Sequence, residues 1–328
     1  MDEEITQRLN EFVKDKDAFS PNTWKQLLSV MRLSLRWSKE NGRTFLPMVS
    51  NDLRDYLIHL QETGKSTGTI SNHASMISML HRHAGLVAPN SSPAVARAIK
   101  KINRVAVVSG ERTGQAVPFH FSDLLAVDEL WGNSPRKQDI RNLAFLHVAY
   151  STLLRRSELG RIRVRDISRA EDGRIILDVA YTKTIVQIAG VIKALSASSS
   201  QRLTECIDAA GLATEPDAYV FCRVHRSNKA IISTTSPLSP TALDDIFIQA
   251  WTAVGHADQV TNKDRYSGWS AHSCRVGAAQ DMAADGYAVA QIMQEGTWKK
   301  TETLMRYIRN VEAHKGAMVD MMEKRANR

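Results

Sequence analysis

The chain has 328 residues, 43% of them hydrophobic and 24% charged, with 43 Lys and Arg against 35 Asp and Glu and a net charge of +8. That composition belongs to an ordinary globular protein, and the length suggests two domains, since single cores stop growing near 250–300 residues. It excludes a disulfide framework or a zinc knuckle, because Cys206, Cys222 and Cys274 are far apart and odd in number, and it offers no apolar run near the ~20 residues of a membrane helix. The start, MDEEITQRLN, is acidic and lacks the layout of a signal peptide, so a cytoplasmic protein with reduced thiols is expected.

The charge is unevenly spread. Residues 1–20 carry a net −3, residues 21–112 a net +8 and residues 113–328 a net +3. A basic stretch of that size is expected where one domain rests on a polyanion. Within it, Ser20-Pro21 reads as a helix N-cap followed by proline at the first helical position. Trp24, Leu27, Leu28, Met31 and Leu35 then recur at helical spacing and are expected to face a core, opposite a stripe of Lys25, Ser29, Arg32, Arg36 and Lys39. A second helix is expected from Ser66–Thr69, with Ile70, Met76, Ile77 and Leu80 inside and Ser71, Asn72, His73, Ser75 and Ser78 outside. That uncharged polar face suits contact with base edges, or is simply a solvated surface.

The segment 107–118 (VVSGERTGQAVP) holds Gly110, Gly114 and Pro118 and reads as a linker. Beyond it the pattern is again mainly helical. Residues 173–190 alternate, are rich in β-branched side chains and predict an antiparallel hairpin; residues 228–239 could add a third strand. The last segment, 311–328, sets Ala317, Met318, Met321 and Met322 on one side of a short helix, able to dock on its own domain or on a neighbouring copy.

Four features of residues 150–310 carry chemistry. They are LLRRSELGRIRV (153–164), read as a helix bearing Arg155, Arg156, Glu158, Arg161 and Arg163; Lys183 at the hairpin tip; SAHSCRVGAAQDMA (270–283), with His272 and Arg275 one turn apart; and EGTWKKTETLMRYIRN (295–310), with Trp298 and Tyr307. Taken singly, each has an ordinary explanation as a solvated arginine or a core aromatic.

Together, in this order and spacing, they resemble the tyrosine recombinase (phage integrase) family. Its signature of Arg, Lys on a β-hairpin, His-x-x-Arg, Trp or His, and Tyr nine residues later falls on Arg155, Lys183, His272 with Arg275, Trp298, and Tyr307. Flanking stretches such as FSPNTWKQLLSV (19–30), GERTGQA (110–116), RKQDIRNLAFLHVAY (136–150) and RVGAAQDMA (275–283) extend the resemblance over about residues 10–325. It implies a mainly α protein of two domains. Residues 1–111 would form an all-helical, SAM-like, basic DNA-binding domain. Residues 112–328 would form a helical catalytic domain with a small antiparallel β-sheet.

The resemblance further implies cutting and rejoining of duplex DNA through a 3′-phosphotyrosine and a Holliday junction, with no metal and no other cofactor. Arg155 and Arg275 would bind the non-bridging phosphate oxygens, His272 and Trp298 would add contacts, Tyr307 would attack, Lys183 would protonate the leaving 5′-oxygen, and Glu158 would orient the others. DNA contacts would fall on Asn22, Thr23, Lys25 and Gln26, joined by Arg32 and Arg36 of the basic stripe, on Gly68 and Asn72, and on Arg223, Arg226 and Thr241. Thr241 stands where one similar member of the family has a base-reading Arg, and Gly68 where it has a Lys. A different target site, still two inverted arms around a spacer, is therefore expected. The partners would be double-stranded DNA and three further copies in a tetramer on two sites, with a monomer possible away from DNA, no membrane, and a place on the nucleoid of a bacterial host. A relaxing type IB topoisomerase and a non-catalytic DNA-binding protein are the rival readings.

Overall fold

The computed structural model describes residues 3–111, 114–179, 190–256, 268–314 and 317–326. The chain divides into two compact units, residues 1–113 and 114–328.

The first unit is helical: α1 (Glu3–Lys14), α2 (Pro21–Glu40), α3 (Ser50–Glu62), α4 (Thr67–His83) and α5 (Pro93–Val108). Local chemistry starts two of these helices as expected. The Ser20 hydroxyl accepts from the Thr23 amide at 3.1 Å and the Ser66 hydroxyl from the Thr69 amide at 3.3 Å, satisfying amides that the first helical turn leaves open. Val30, Trp37, Leu53, Tyr56, Leu57, Ile70, Ile77, Val95 and Ile102 form the main core, and Phe12, Leu27 and Leu80 a second one.

Two expectations change here. On α2, Leu27 is buried and Trp24 and Met31 pack against the core as expected, but Leu28 and Leu35 are 50% and 39% exposed, and the buried stripe continues through Val30, Ser34, Trp37 and Ser38. Ser34, at a buried position, returns its hydroxyl to the Val30 carbonyl. On α4, His73 and Ser78 are buried, which leaves Ser71, Asn72 and Ser75 of the expected polar face. The tyrosine hydroxyl of Tyr56, 2.9 Å from His73 Nδ1, satisfies the buried imidazole.

The second unit comprises α6 (Phe121–Trp131), α7 (Lys137–Thr152), α8 (Arg156–Leu159), β1 (Ile167–Arg169), β2 (Ile175–Val179), β3 (Val191–Ala194), α9 (Ala197–Ala210), β4 (Arg223–Val224), β5 (Ala230–Ile231), α10 (Pro240–Ala253), α11 (Ser273–Ala284), α12 (Val289–Glu295), α13 (Thr301–His314) and α14 (Ala317–Ala326). Helix α7 is its axis, with every residue from Arg141 to Ala149 buried. The described strands make one antiparallel sheet in the order β1-β2-β3 and a separate β4-β5 pair.

The hairpin therefore reaches further than 173–190: β2 pairs with β3 from Val179↔Val191 to Ile176↔Ala194, and residues 180–189 lie outside the described residues. The strand expected in 228–239 is only β5, paired with β4 rather than added to the larger sheet. Among the described residues no helix is long and apolar enough to cross a membrane.

Candidate active site

Three turns build the site. The first ends α7. Leu153 takes a left-handed backbone (φ 53°), an uncommon conformation for a bulky residue and one associated with functional sites. The break it makes corrects the expectation of one helix over 153–164: only Arg156–Leu159 is helical. Arg155 is instead the extended N-cap of α8, and its amide donates to Glu158 Oε2 at 2.8 Å while its Nη1 donates to Oε1 at 3.0 Å. Glu158 is fully buried and the Arg155 side chain 22% exposed, so the carboxylate holds the guanidinium from behind.

The second turn starts α11. His272 is its N-cap, and Arg275 lies in its first turn. The helix sits close against the chain before α6, because Gly277 has no side chain: a Cβ there would lie 1.8 Å from the Phe119 carbonyl oxygen. Arg275 is 2% exposed and donates through Nη1 to the Leu153 carbonyl and through Nη2 to the Gly296 carbonyl at 2.9 Å. These bonds fix the guanidinium plane and engage two of its five N–H donors. Burial, reinforced by the Arg155 charge, brings the Arg275 pKa down to about 10. It remains a cation at neutral pH, in a place whose electrostatics favour an added anion.

The third turn joins α12 to α13. Gly296 carries no Cβ where one would lie 2.0 Å from the Trp298 ring, and Thr297 is left-handed (φ 53°). Trp298 is thereby turned inward, 7% exposed, with the Arg275 guanidinium carbon 4.8 Å from its ring centre. Tyr307, two turns into α13, is half-buried with its ring 5.6 Å from that of Trp298, and its carbonyl accepts from Gln280 at 2.9 Å and Gln115 at 3.2 Å. His272 keeps an exposed edge, yet partial desolvation, then Arg275, Arg155 and Arg156, hold its imidazole below the ordinary 6.5. It is neutral at pH 7 and able to accept a proton.

The fold thus gathers Arg155, Glu158, His272, Arg275, Trp298 and Tyr307, which the sequence spreads over 153 positions, while Lys183 lies outside the described residues. Cys274, between His272 and Arg275, points into the core, where burial raises its thiol pKa. Of the expected DNA contacts in the first unit, Asn22, Lys25, Gln26, Arg32, Arg36 and Gly68 are exposed, while Asn72 and Thr23 are half-buried. In the second unit Arg223, Arg226 and Thr241 are exposed, Thr241 in the first turn of α10. Sequence reasoning missed the ion pair of Arg156 with Asp244 of α10, and a buried lysine, Lys193, bonded to Glu295.

A model of the phage integrase family matches residues 121–314. The chain is 44% identical over 321 residues to "Recombinase cre" of Escherichia phage P1, covering 98% of this chain and 93% of that protein. The chain belongs to the phage integrase family. It is a tyrosine recombinase, mainly α-helical with small antiparallel sheets. Among solved structures, the Tn1549 transposon integrase in complex with transposon right end DNA is similar at a TM-score of 0.61 and 11% identity, covering 95% of this chain and 98% of that one. A λ integrase dimer bound to a COC′ core site is similar at 0.51 and 14%, covering 92% and 94%. At such identities these two speak for the fold alone.

Proposed function

We propose that this phage integrase is a site-specific recombinase that cuts and rejoins duplex DNA at two inverted-repeat sites, with Tyr307 as nucleophile. The observation that carries the reading is the convergence of Arg155, His272, Arg275, Trp298 and Tyr307 on one cationic, carbonyl-braced centre. A phosphodiester is an anion, and displacement at phosphorus concentrates charge on its non-bridging oxygens. Two guanidiniums supply paired, charge-assisted hydrogen bonds to those oxygens, and being fixed beforehand they need no reorganisation during reaction.

Tyr307 Oη attacks phosphorus; the new O–P bond forms as the bond to the 5′-oxygen breaks. A phenol is mostly protonated at neutral pH, so a base is needed, and His272, neutral there, accepts the proton. Lys183 gives a proton to the departing 5′-oxygen. The phosphotyrosine conserves the ester bond, so attack by a partner strand's 5′-hydroxyl reverses the step and rejoins DNA without an energy source.

The first unit would grip DNA through Lys25, Arg32, Arg36 and their neighbours, with Asn22, Thr23, Gln26, Gly68 and Asn72 nearby, and the second would read it through Arg223, Arg226 and Thr241. Four copies would act on two sites in the nucleoid, and single copies would persist without DNA. The test uses a duplex selected by binding from a random inverted-repeat library. Wild-type protein should form a denaturant-resistant adduct and four-way junctions on paired sites, and Tyr307→Phe should bind with no adduct. An adduct in Tyr307→Phe overturns the nucleophile; adducts with relaxation and no junctions would mark a topoisomerase.

A further inference from the structure

Strand β3 reads Val191-Ile192-Lys193-Ala194, and hydrophobic burial alone would turn Ile192 inward and Lys193 to solvent. The structure does the reverse: Ile192 is 60% exposed and Lys193 is 6% exposed, set directly across from the fully buried Leu177 on the core side of the sheet. A buried ammonium is tolerated only when charge and hydrogen bonds compensate for lost water. Here the ammonium donates to both the Glu295 carbonyl and the Glu295 carboxylate, the latter at 3.0 Å.

Glu295 is the last residue of α12 and opens the turn that shapes the site. Its carbonyl is held by Lys193, and the next one, of Gly296, by Arg275. Thr297 follows in a left-handed conformation, and the Trp298 ring occupies the space left by Gly296. Two cations therefore hold consecutive carbonyls of one strained turn. We infer that Lys193 is a positioning residue of the active centre, clamping the 295–298 turn so that Arg275 and Trp298 face the phosphate. The inference rests on the recombinase reading above. Among the described residues the ammonium hydrogen bonds run to Glu295 rather than to Tyr307 or Trp298, so Lys193 acts through the turn.

The test measures single-turnover adduct formation at saturating selected duplex, together with DNA affinity and thermal midpoint. Lys193→Met should slow cleavage about 30–100-fold with affinity within about threefold, and Lys193→Arg should recover to within about fivefold. A duplex carrying sulfur in place of the bridging 5′-oxygen, a leaving group that needs no proton, should not restore Lys193→Met. In a Trp298→Phe background the same substitution should cost clearly less than it does in the wild type, because both act through one turn, with the Arg275 part of the cost remaining. Rescue by sulfur, which would make Lys193 a proton donor, overturns the inference. So does a fully additive cost with Trp298→Phe, or an unchanged rate. Should Lys193→Met fail to fold, Glu295→Lys sets a like charge beside it at a half-exposed position, and should slow cleavage at least about tenfold; an unchanged rate there is equally fatal. An adduct in Tyr307→Phe, run alongside, would instead overturn the recombinase reading itself.

Discussion

At the scale of single residues, the arrangement of the candidate site depends on groups buried behind it. Glu158 has no exposed surface and makes two bonds to Arg155, one to its amide and one to its guanidinium. Breaking a fully buried ion pair costs ~3–5 kcal/mol, but Arg155 is partly solvated and can recover water, so Glu158→Ala should cost about 1–3 kcal/mol in chemical denaturation. Cleavage should slow far more than DNA binding weakens, because Arg155 loses its orientation rather than its charge. Gly296→Ala is a sharper probe. Its Cβ would lie 2.0 Å from the Trp298 ring, so indole or turn must move; about 1–3 kcal/mol of stability and roughly 100-fold in adduct rate should go. The sequence showed Trp298 through its spacing from Tyr307, but nothing in it marked Gly296 as the reason the indole turns inward. The His272 imidazole, held below 6.5, stays neutral through physiological pH. The pH profile of kcat/KM, which reports the free enzyme, should therefore be flat from pH 8 to below 6.5 and fall only in more acid solution, and His272→Gln should abolish that acid limb.

At the scale of elements, the helices of the first unit could be read because their caps and stripes are local: Ser20-Pro21 and Ser66 start α2 and α4 where expected. The polar face of α4 was misjudged at His73, since an imidazole can be core or surface and only the Tyr56 hydroxyl decides. His81, on the same helix, is also buried: its Nε2 accepts from the Met48 amide at 2.8 Å, and its Nδ1 is 2.7 Å from the Ile77 carbonyl. An amide only donates, so the ring must be neutral there, and burial lowers its pKa. The unfolded chain takes up a proton near 6.5 that folded His81 resists. Stability from this group is present above that pH and lost as pH falls below it. The urea midpoint should drop between pH 7 and 5, and His81→Gln should lessen that drop. In the second unit the left-handed Leu153 separates α7 from α8, which covers only Arg156–Leu159 of the helix expected over 153–164, and β3 runs against its own hydrophobic pattern. Both departures are tertiary, since each serves a contact made by Arg275 or Lys193.

At the scale of the whole molecule, a net charge of +8 is a weak signal and its distribution a strong one, with residues 21–112 alone carrying +8. Lys25 and Arg32 stand exposed on α2, seven residues apart along one stripe. Lys25→Ala or Arg32→Ala should weaken binding to all sequences alike. The slope of log affinity against log salt should flatten by about 0.9 for every phosphate deprived of its cation. Unchanged slopes in both would remove α2 from the backbone. By contrast, on the reading proposed above Thr241 and Gly68 bear on which sequence is bound; a bidentate arginine in place of Thr241 should shift base preference by ~1–3 kcal/mol at one position, read from the selected sites. By itself, the sequence determined the family, the helical character, the charge map and the order Arg155, Lys183, His272, Arg275, Trp298, Tyr307, because these lie in composition, short-range periodicity and linear spacing. Only the tertiary structure decided that Arg155 is a helix cap, that Leu153 and Gly296 carbonyls aim Arg275, and that Lys193 lies inside while Ile192 lies outside. Such contacts join residues up to 122 positions apart, and they must offset the cost of removing charge and backbone dipoles from water, a balance that no local pattern encodes.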